Sequence, residues 1–164
     1  MLLENAFAVA YPADRLWDTL LGDIEGVVTC IPGAKLTDVT GPGDYRGSFK
    51  VGFGPVTLSF DGTVTVKALD ETANRLVLDA RGTEKRGHGA ARVSVTLFAS
   101  PDGNGDSTRV DMISEVTLNG QVAQMSRGVL PKVAKDLTGR FAECLRAKLE
   151  AGLRPDPPEG SRRT

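Results

Sequence analysis

The apolar positions of this chain change period twice, and each change marks a new kind of element. Residues 2–10 form a short apolar run that reads as a strand, closed by Tyr11-Pro12. Pro12 sits where a helix can start, and Leu16, Trp17, Leu20 and Leu21 then mark one helical face. After Gly22, the set Ile24, Val27, Val28 and Ile31 repeats the i, i+3, i+4, i+7 spacing of a second short helix, which Pro32-Gly33 stops.

Over residues 34–119 the period becomes two. Tyr45, Phe49, Val51 and Phe53 alternate with Arg46, Ser48, Lys50 and Gly52. Gly54-Pro55 breaks the run, after which Val56, Leu58, Phe60, Val64 and Val66 share one parity. Leu76, Leu78 and Ala80 oppose Arg75, Asp79 and Arg81. Val93, Val95 and Leu97 oppose Arg92, Ser94 and Thr96, and Val110, Met112, Val116 and Leu118 oppose Arg109, Asp111, Glu115 and Thr117. Turn formers bound every run: Gly41-Pro42-Gly43, Gly87-His88-Gly89, and the stretches 70–74 and 101–106. The pattern predicts about six antiparallel strands with one dry and one wet face.

From Gln121 to about Ala151, Val122, Met125, Val129, Val133, Leu137, Phe141, Leu145 and Leu149 recur every three or four residues. This predicts one long helix with a broad apolar stripe, kinked or interrupted at Pro131. The polar tail is expected to be disordered, leaving a folded domain at 1–152 and a tail at 153–164.

The fold class is therefore α+β: a strand, two short helices, a meander that brings the sheet to about seven strands, and a long C-terminal helix. A bent sheet closed by one helix leaves an elongated apolar cavity between them, where small ligands bind. Its expected wall is Phe53, Leu58, Phe60, Leu78, Val95, Met112 and Val116 on the sheet, with Met125, Val129, Val133 and Leu137 on the helix, a stripe that reads equally as plain core. Ser114 shares the parity of Met112 and Val116, so its hydroxyl should point inward, to a backbone group or to a ligand carbonyl. Tyr45 is a second such donor. Access would be controlled by a gate of Ile31, Pro32 and Phe53, in the 31–34 loop and the 52–55 hairpin, or else by the Pro131 kink; the third alternative is a rigid closed core. At an exposed hairpin tip, Phe53 would touch lipid or a partner protein.

Length and charge narrow the possibilities further. The chain has 164 residues, enough for one domain with its own core. Its 20 basic and 21 acidic residues give a net charge of −1, so a nucleic-acid partner is not expected. The N-terminus lacks the basic and apolar regions of a secretory signal, and no 18-residue apolar run occurs, which predicts a cytoplasmic protein. Cys30 and Cys144 have no CxxC spacing and are expected to be small buried hydrophobes in a reducing compartment, unbonded.

Catalytic chemistry finds little support. His88 is the single histidine, lies between two glycines in a turn and reads as a solvated loop residue. No HExxH, GxSxG or phosphate-binding loop occurs, so no catalytic or metal-binding residue is assigned. Strand parity sends Asp61, Asp79, Asp111 and Glu115 outward, away from any cavity.

Several short segments carry a family resemblance: the stretch 28–34 (VTCIPGA), 51–56 (VGFGPV) with Phe60-Asp61-Gly62, 87–91 (GHGAA), and 116–120 (VTLNG) leading into the last helix. In this order they resemble the CoxG family of carbon monoxide dehydrogenase subunits, within the START/SRPBCC helix-grip superfamily. The resemblance implies a curved sheet gripping the C-terminal helix, and a non-catalytic carrier of a hydrophobic ligand. A bound prenylated quinone, menaquinone or ubiquinone, is the implied cargo. The implied partners are a molybdenum hydroxylase such as carbon monoxide dehydrogenase and, transiently, the inner face of the respiratory membrane. Some members have a C-terminal extension suited to anchoring; here an eleven-residue polar tail follows the helix, which argues against constitutive anchoring unless such an extension has been removed. A maturation or recruitment factor acting through its surface, and an enzyme like the polyketide cyclases of the superfamily, are the alternatives.

Overall fold

The computed structural model describes residues 1–126 and 128–153. The disordered tail expected over 153–164 therefore lies, apart from Leu153, outside the described residues. The chain runs β1 (Leu2–Val9), α1 (Ala13–Gly22), α2 (Ile24–Val28), β2 (Ala34–Gly41), β3 (Asp44–Phe53), β4 (Val56–Asp70), β5 (Arg75–Glu84), β6 (Ala90–Asp102), β7 (Ser107–Asn119), α3 (Gln121–Met125) and α4 (Leu130–Leu153). All seven strands join one antiparallel sheet in the order β1-β7-β6-β5-β4-β3-β2. The meander is thus closed by β1, which pairs with β7 from Leu2↔Glu115 to Val9↔Thr108.

Small residues line up where the sheet bends. Gly47, Gly62, Gly82 and Ala91 face one another in register across β3 to β6. A Cβ on Gly62 would stand 1.9 Å from the Arg81 carbonyl oxygen, so no side chain fits there. A register shift between Val66 and Ala68 adds further twist to β4.

The helical segments depart from expectation in two ways. The second helix ends at Val28, and Thr29 to Gly33 form turns rather than a further helical turn. The expected single helix over 121–151 is instead two. Ser126 caps α3, its hydroxyl bonding the Val122 carbonyl at 2.8 Å, and Gly128 takes a φ of +83°, which ends the helical path. Pro131 does not kink α4 but occupies its first turn, where the missing N–H leaves no broken bond.

The core is divided between the two ends of the sheet. At one end Val9, Leu16, Trp17, Leu76, Ala99 and Val110 pack with Leu145 and Leu149 of α4. Phe7 and Phe141 add an edge-on ring pair there, 6.1 Å between centroids. At the other end Val51, Phe53, Leu58 and Phe60 pack with Val122, and with Met125, Val129, Val133 and Leu137 around it.

Cys30 and Cys144 are joined in a disulfide, with 5.3 Å between their Cα atoms. This corrects the expectation of two unbonded thiols. Their separation of 114 residues gave no spacing signal, because the pairing depends on how the fold brings the turn after α2 to α4.

Candidate ligand-binding interior

Between the two cores lies the middle of the inner sheet face. One row of in-register residues crosses it as Tyr45, Val64, Ala80, Val93 and Val116, and the next as Val66, Leu78, Val95, Ser114 and Leu3. Val116 and Leu3 are buried at the β1–β7 side. Tyr45, Ala80, Val93, Leu78, Val95 and Ser114 are only half-buried, and Val64 is 36% exposed although its parity points it inward. The helix and the sheet therefore meet at both ends and leave the apolar middle accessible. Strand parity makes this face apolar, and the two-ended core keeps it open.

The expected wall residues divide accordingly. Phe53, Leu58, Phe60, Met125, Val129, Val133 and Leu137 come together in the second core. Leu78 and Met112 pack on the first core. Val95 and Ser114 face each other across β6 and β7 in the open middle, and Val116 is buried beside them. The interior is thus not one sealed elongated cavity. A small void of about 20 Å³ lies under α1, lined by Leu16, Trp17, Leu97, Phe141 and their neighbours, none of them an expected wall residue. It has room for about one water-sized sphere. A larger open depression of about 340 Å³ lies on the outer face, between Asp61, Thr63, Arg81, Arg92 and Asn119.

The three gate residues do not form one group. Phe53 is 7% exposed and belongs to the second core, so it is not an exposed hairpin tip. The turn that follows hides it: Gly54, at a φ of +63°, and Pro55 turn the chain back so that Phe53 pairs with Val56. Ile31 is exposed and Pro32 half-buried. The segment that carries them is fixed at both ends, by the disulfide to α4 and by the Lys50 N–H of β3, which donates to the Gly33 carbonyl at 2.9 Å.

The buried carboxylate of Glu84 was not foreseen from the sequence. On the inward parity of β5, it is 2% exposed and stands opposite Phe60. Its oxygens accept the backbone N–H groups of Ser59 at 3.0 Å and Arg86 at 2.8 Å, and that of His88 at 3.5 Å. The Ser59 bond is the largest cause holding this carboxyl below its ordinary pKa; burial opposes it, and the bonds from Arg86 and His88 reinforce it. The signal available in the sequence was a lone acid ending an apolar parity just before Gly87-His88-Gly89. His88 is not simply solvated: its Nδ1 is buried, 3.4 Å from Glu84 Oε1, and its carbonyl accepts the Val122 N–H that starts α3. Glu84 thus fastens the β5–β6 turn and, through it, the helix over the second core. Its acceptor capacity is used mainly on backbone, with the Arg86 guanidinium 3.7 Å away.

Asp79 does face outward, yet it is only 8% exposed, because Arg81 and Arg92 fold over it at 3.6 and 3.4 Å. Asp61 and Glu115 are exposed as expected and Asp111 half-buried, paired with Arg109. Among the described residues, no three His, Cys, Asp or Glu side chains converge to hold a metal ion. Among them too, no helix is long and apolar enough to cross a membrane.

Two core clusters, a half-open apolar face between them and a helix laid across a seven-stranded meander define a helix-grip domain of the SRPBCC type. The sequence model of the carbon monoxide dehydrogenase subunit family CoxG matches residues 6–150, and the chain belongs to that family. No curated protein matches the chain significantly. Among solved structures it is similar to a conserved protein from Geobacillus kaustophilus, with a TM-score of 0.80 at 18% identity over 93% of this chain and 97% of the other. It is also similar to the Zhui aromatase/cyclase from Streptomyces sp. R1128, with a TM-score of 0.66 at 15% identity over 94% and 96% of the two chains. Norcoclaurine synthase from Thalictrum flavum gives 0.63 at 15% identity over 95% and 89%. These likenesses establish the shared fold.

Proposed function

We propose that this protein is a non-catalytic carrier of a prenylated quinone, menaquinone or ubiquinone, between the respiratory membrane and a molybdenum hydroxylase of the carbon monoxide dehydrogenase kind. Family membership supports the enzyme partner. The observation that carries the cargo is the accessible apolar middle of the inner sheet face, from Val64 through Ala80 and Val95 to Ser114. In this reading Ser114 and Tyr45 offer hydroxyls to a quinone carbonyl, and the protein works in the cytoplasm with transient visits to the inner membrane face.

The energetics suffice without a charged contact. Burying one five-carbon prenyl unit contributes up to about 3–4 kcal/mol, at about 0.8 kcal/mol per methylene-sized group. Two or three units offset an association cost of several kcal/mol and leave roughly micromolar affinity.

The open depression on the outer face, lined by Asp61, Arg81 and Arg92, favours a second reading, a maturation or recruitment factor that acts through its surface. The cyclase reading is weaker, since the carboxylate at the inner face, Glu84, is engaged by backbone N–H groups. Organic extraction of the purified protein followed by mass spectrometry separates the first two. A stoichiometric prenylated quinone supports the carrier. An empty protein that also takes up neither added menaquinone nor added ubiquinone points to the recruitment factor.

A further inference from the structure

The Cys30–Cys144 bond holds a particular piece of the molecule. The segment 24–33 spans from α4 to β3, fixed at the first by the disulfide and at the second by the bond from Lys50 to Gly33. Apart from the buried Cys30, its described apolar side chains from Val27 on are thinly packed. Val27 and Val28 are half-buried and join neither core, Ile31 is 36% exposed, and Thr29 is exposed. Within the segment the bonds are local: Asp23 caps the Gly26 N–H, and Thr29 bonds the Gly26 carbonyl. The strands and α4, by contrast, are held by full ladders and by the two cores. A thinly packed stretch of the domain is thus covalently tied to its longest helix and bonded at Gly33 to β3, the strand that carries Tyr45 of the half-open inner face.

We infer that Cys30–Cys144 is a redox latch: oxidised, it clamps the segment 24–33 against α4, and reduced, it releases the segment and widens access to the interior. The reductant is a dithiol. One of its thiolates attacks Sγ of Cys144, which belongs to the less buried of the two residues. The S–S bond breaks, and Cys30 leaves as a thiolate that takes up a proton. The second reductant thiol then displaces Cys144 from the mixed disulfide. Two electrons and two protons pass from the dithiol to the protein, and the reductant becomes a disulfide. The gating role rests on the carrier reading above; the release of the segment does not.

The test uses the full chain, purified in air, with dithiothreitol as the dithiol. Thiol titration under denaturing conditions should find no free thiol before reduction and two after. Two free thiols beforehand would overturn the proposal. Hydrogen exchange read at short times, before the sheet amides exchange through global unfolding, should then speed up by at least about tenfold over 24–34 on reduction. Equal short-time exchange over 24–34 in both states, or exchange of β4 to β7 as fast as that of 24–34 in the reduced protein, would overturn it, the second because the whole domain and not the segment would have opened. The double variant Cys30→Ser, Cys144→Ser should exchange like the reduced protein. Uptake of menaquinone-4 should be faster in the reduced protein. Equal uptake rates with a loosened segment would remove the gating role. If neither form takes up menaquinone-4 while the segment loosens, the latch stands and the carrier reading falls.

Discussion

The indole N–H of Trp17 donates to Oδ1 of Asn74 at 2.8 Å, joining α1 to the β4–β5 turn. Asn74 has a φ of +53°, a left-handed conformation that asparagine tolerates better than most residues. Its carbonyl also accepts the Ala99 N–H of β6 at 2.9 Å. One turn residue therefore fixes the helix, the turn and the neighbouring strand. Asn74→Gly keeps the backbone conformation but leaves a buried indole N–H unpaired, at a cost of about 1–3 kcal/mol. Asn74→Asp keeps the acceptor and should cost less. Urea midpoints, followed by the fluorescence of this single tryptophan, compare the two. If the glycine variant is as stable as the aspartate one, the bond contributes nothing.

The disulfide closes a loop of 114 residues, and such a cross-link mainly restricts the unfolded chain. A loop of this length predicts a loss of about 4–5 kcal/mol on reduction. A domain of this size has about 5–15 kcal/mol in total, so the reduced protein should remain folded with a lower urea midpoint. A midpoint unchanged by dithiothreitol would mean that the unfolded chain gains no freedom from the cut.

Glu84 makes stability depend on acid pH. Its folded pKa lies below the ordinary value of 4.5, so the folded state binds its proton less readily than the unfolded chain does. Stability from this group is fully present above 4.5 and is lost as pH falls through the folded pKa. Glu84→Gln should be less stable at neutral pH, because an amide replaces a charged acceptor of three backbone N–H groups. It should also lose part of the acid limb of the stability curve. Denaturation midpoints at several pH values check both. Parallel curves for the two proteins would show that another group sets the acid limb.

The strand count, the turn positions and the faces of the sheet were legible because a period of two survives in every strand. Val95, Ser114 and Met112 all point inward, as their parity requires. What failed involved contacts between distant segments. The disulfide needed the turn after α2 beside α4. The break between α3 and α4 needed Gly128 in a left-handed conformation, while the apolar stripe on either side reads straight through it. Phe53 looked like a hairpin tip from its position next to Gly54-Pro55, yet Val122 and its neighbours bury it. Glu84 broke a good apolar parity, and only the folded turn brought it three backbone donors. The division of the core into two ends depends on the path of α4 across the sheet, from β3 to β1, which no periodicity encodes.

That division makes a sharp prediction about the interior. Val95 and Ser114 face each other in the open middle, while Ser94, one residue away, points to the outer face. Filling the inner position with a ring should displace a ligand without disturbing either core. Val95→Phe is therefore expected to weaken menaquinone-4 binding at least about tenfold, a loss of about 1.4 kcal/mol. Ser114→Phe should do the same and in addition remove a hydroxyl. Ser94→Phe adds the same ring on the other side and should leave binding unchanged. Equilibrium binding of menaquinone-4 to the three variants, each with an unchanged urea midpoint, decides the matter. Equal binding by Val95→Phe and Ser94→Phe would mean that the ligand does not occupy the middle of the sheet, and the carrier reading would need another site.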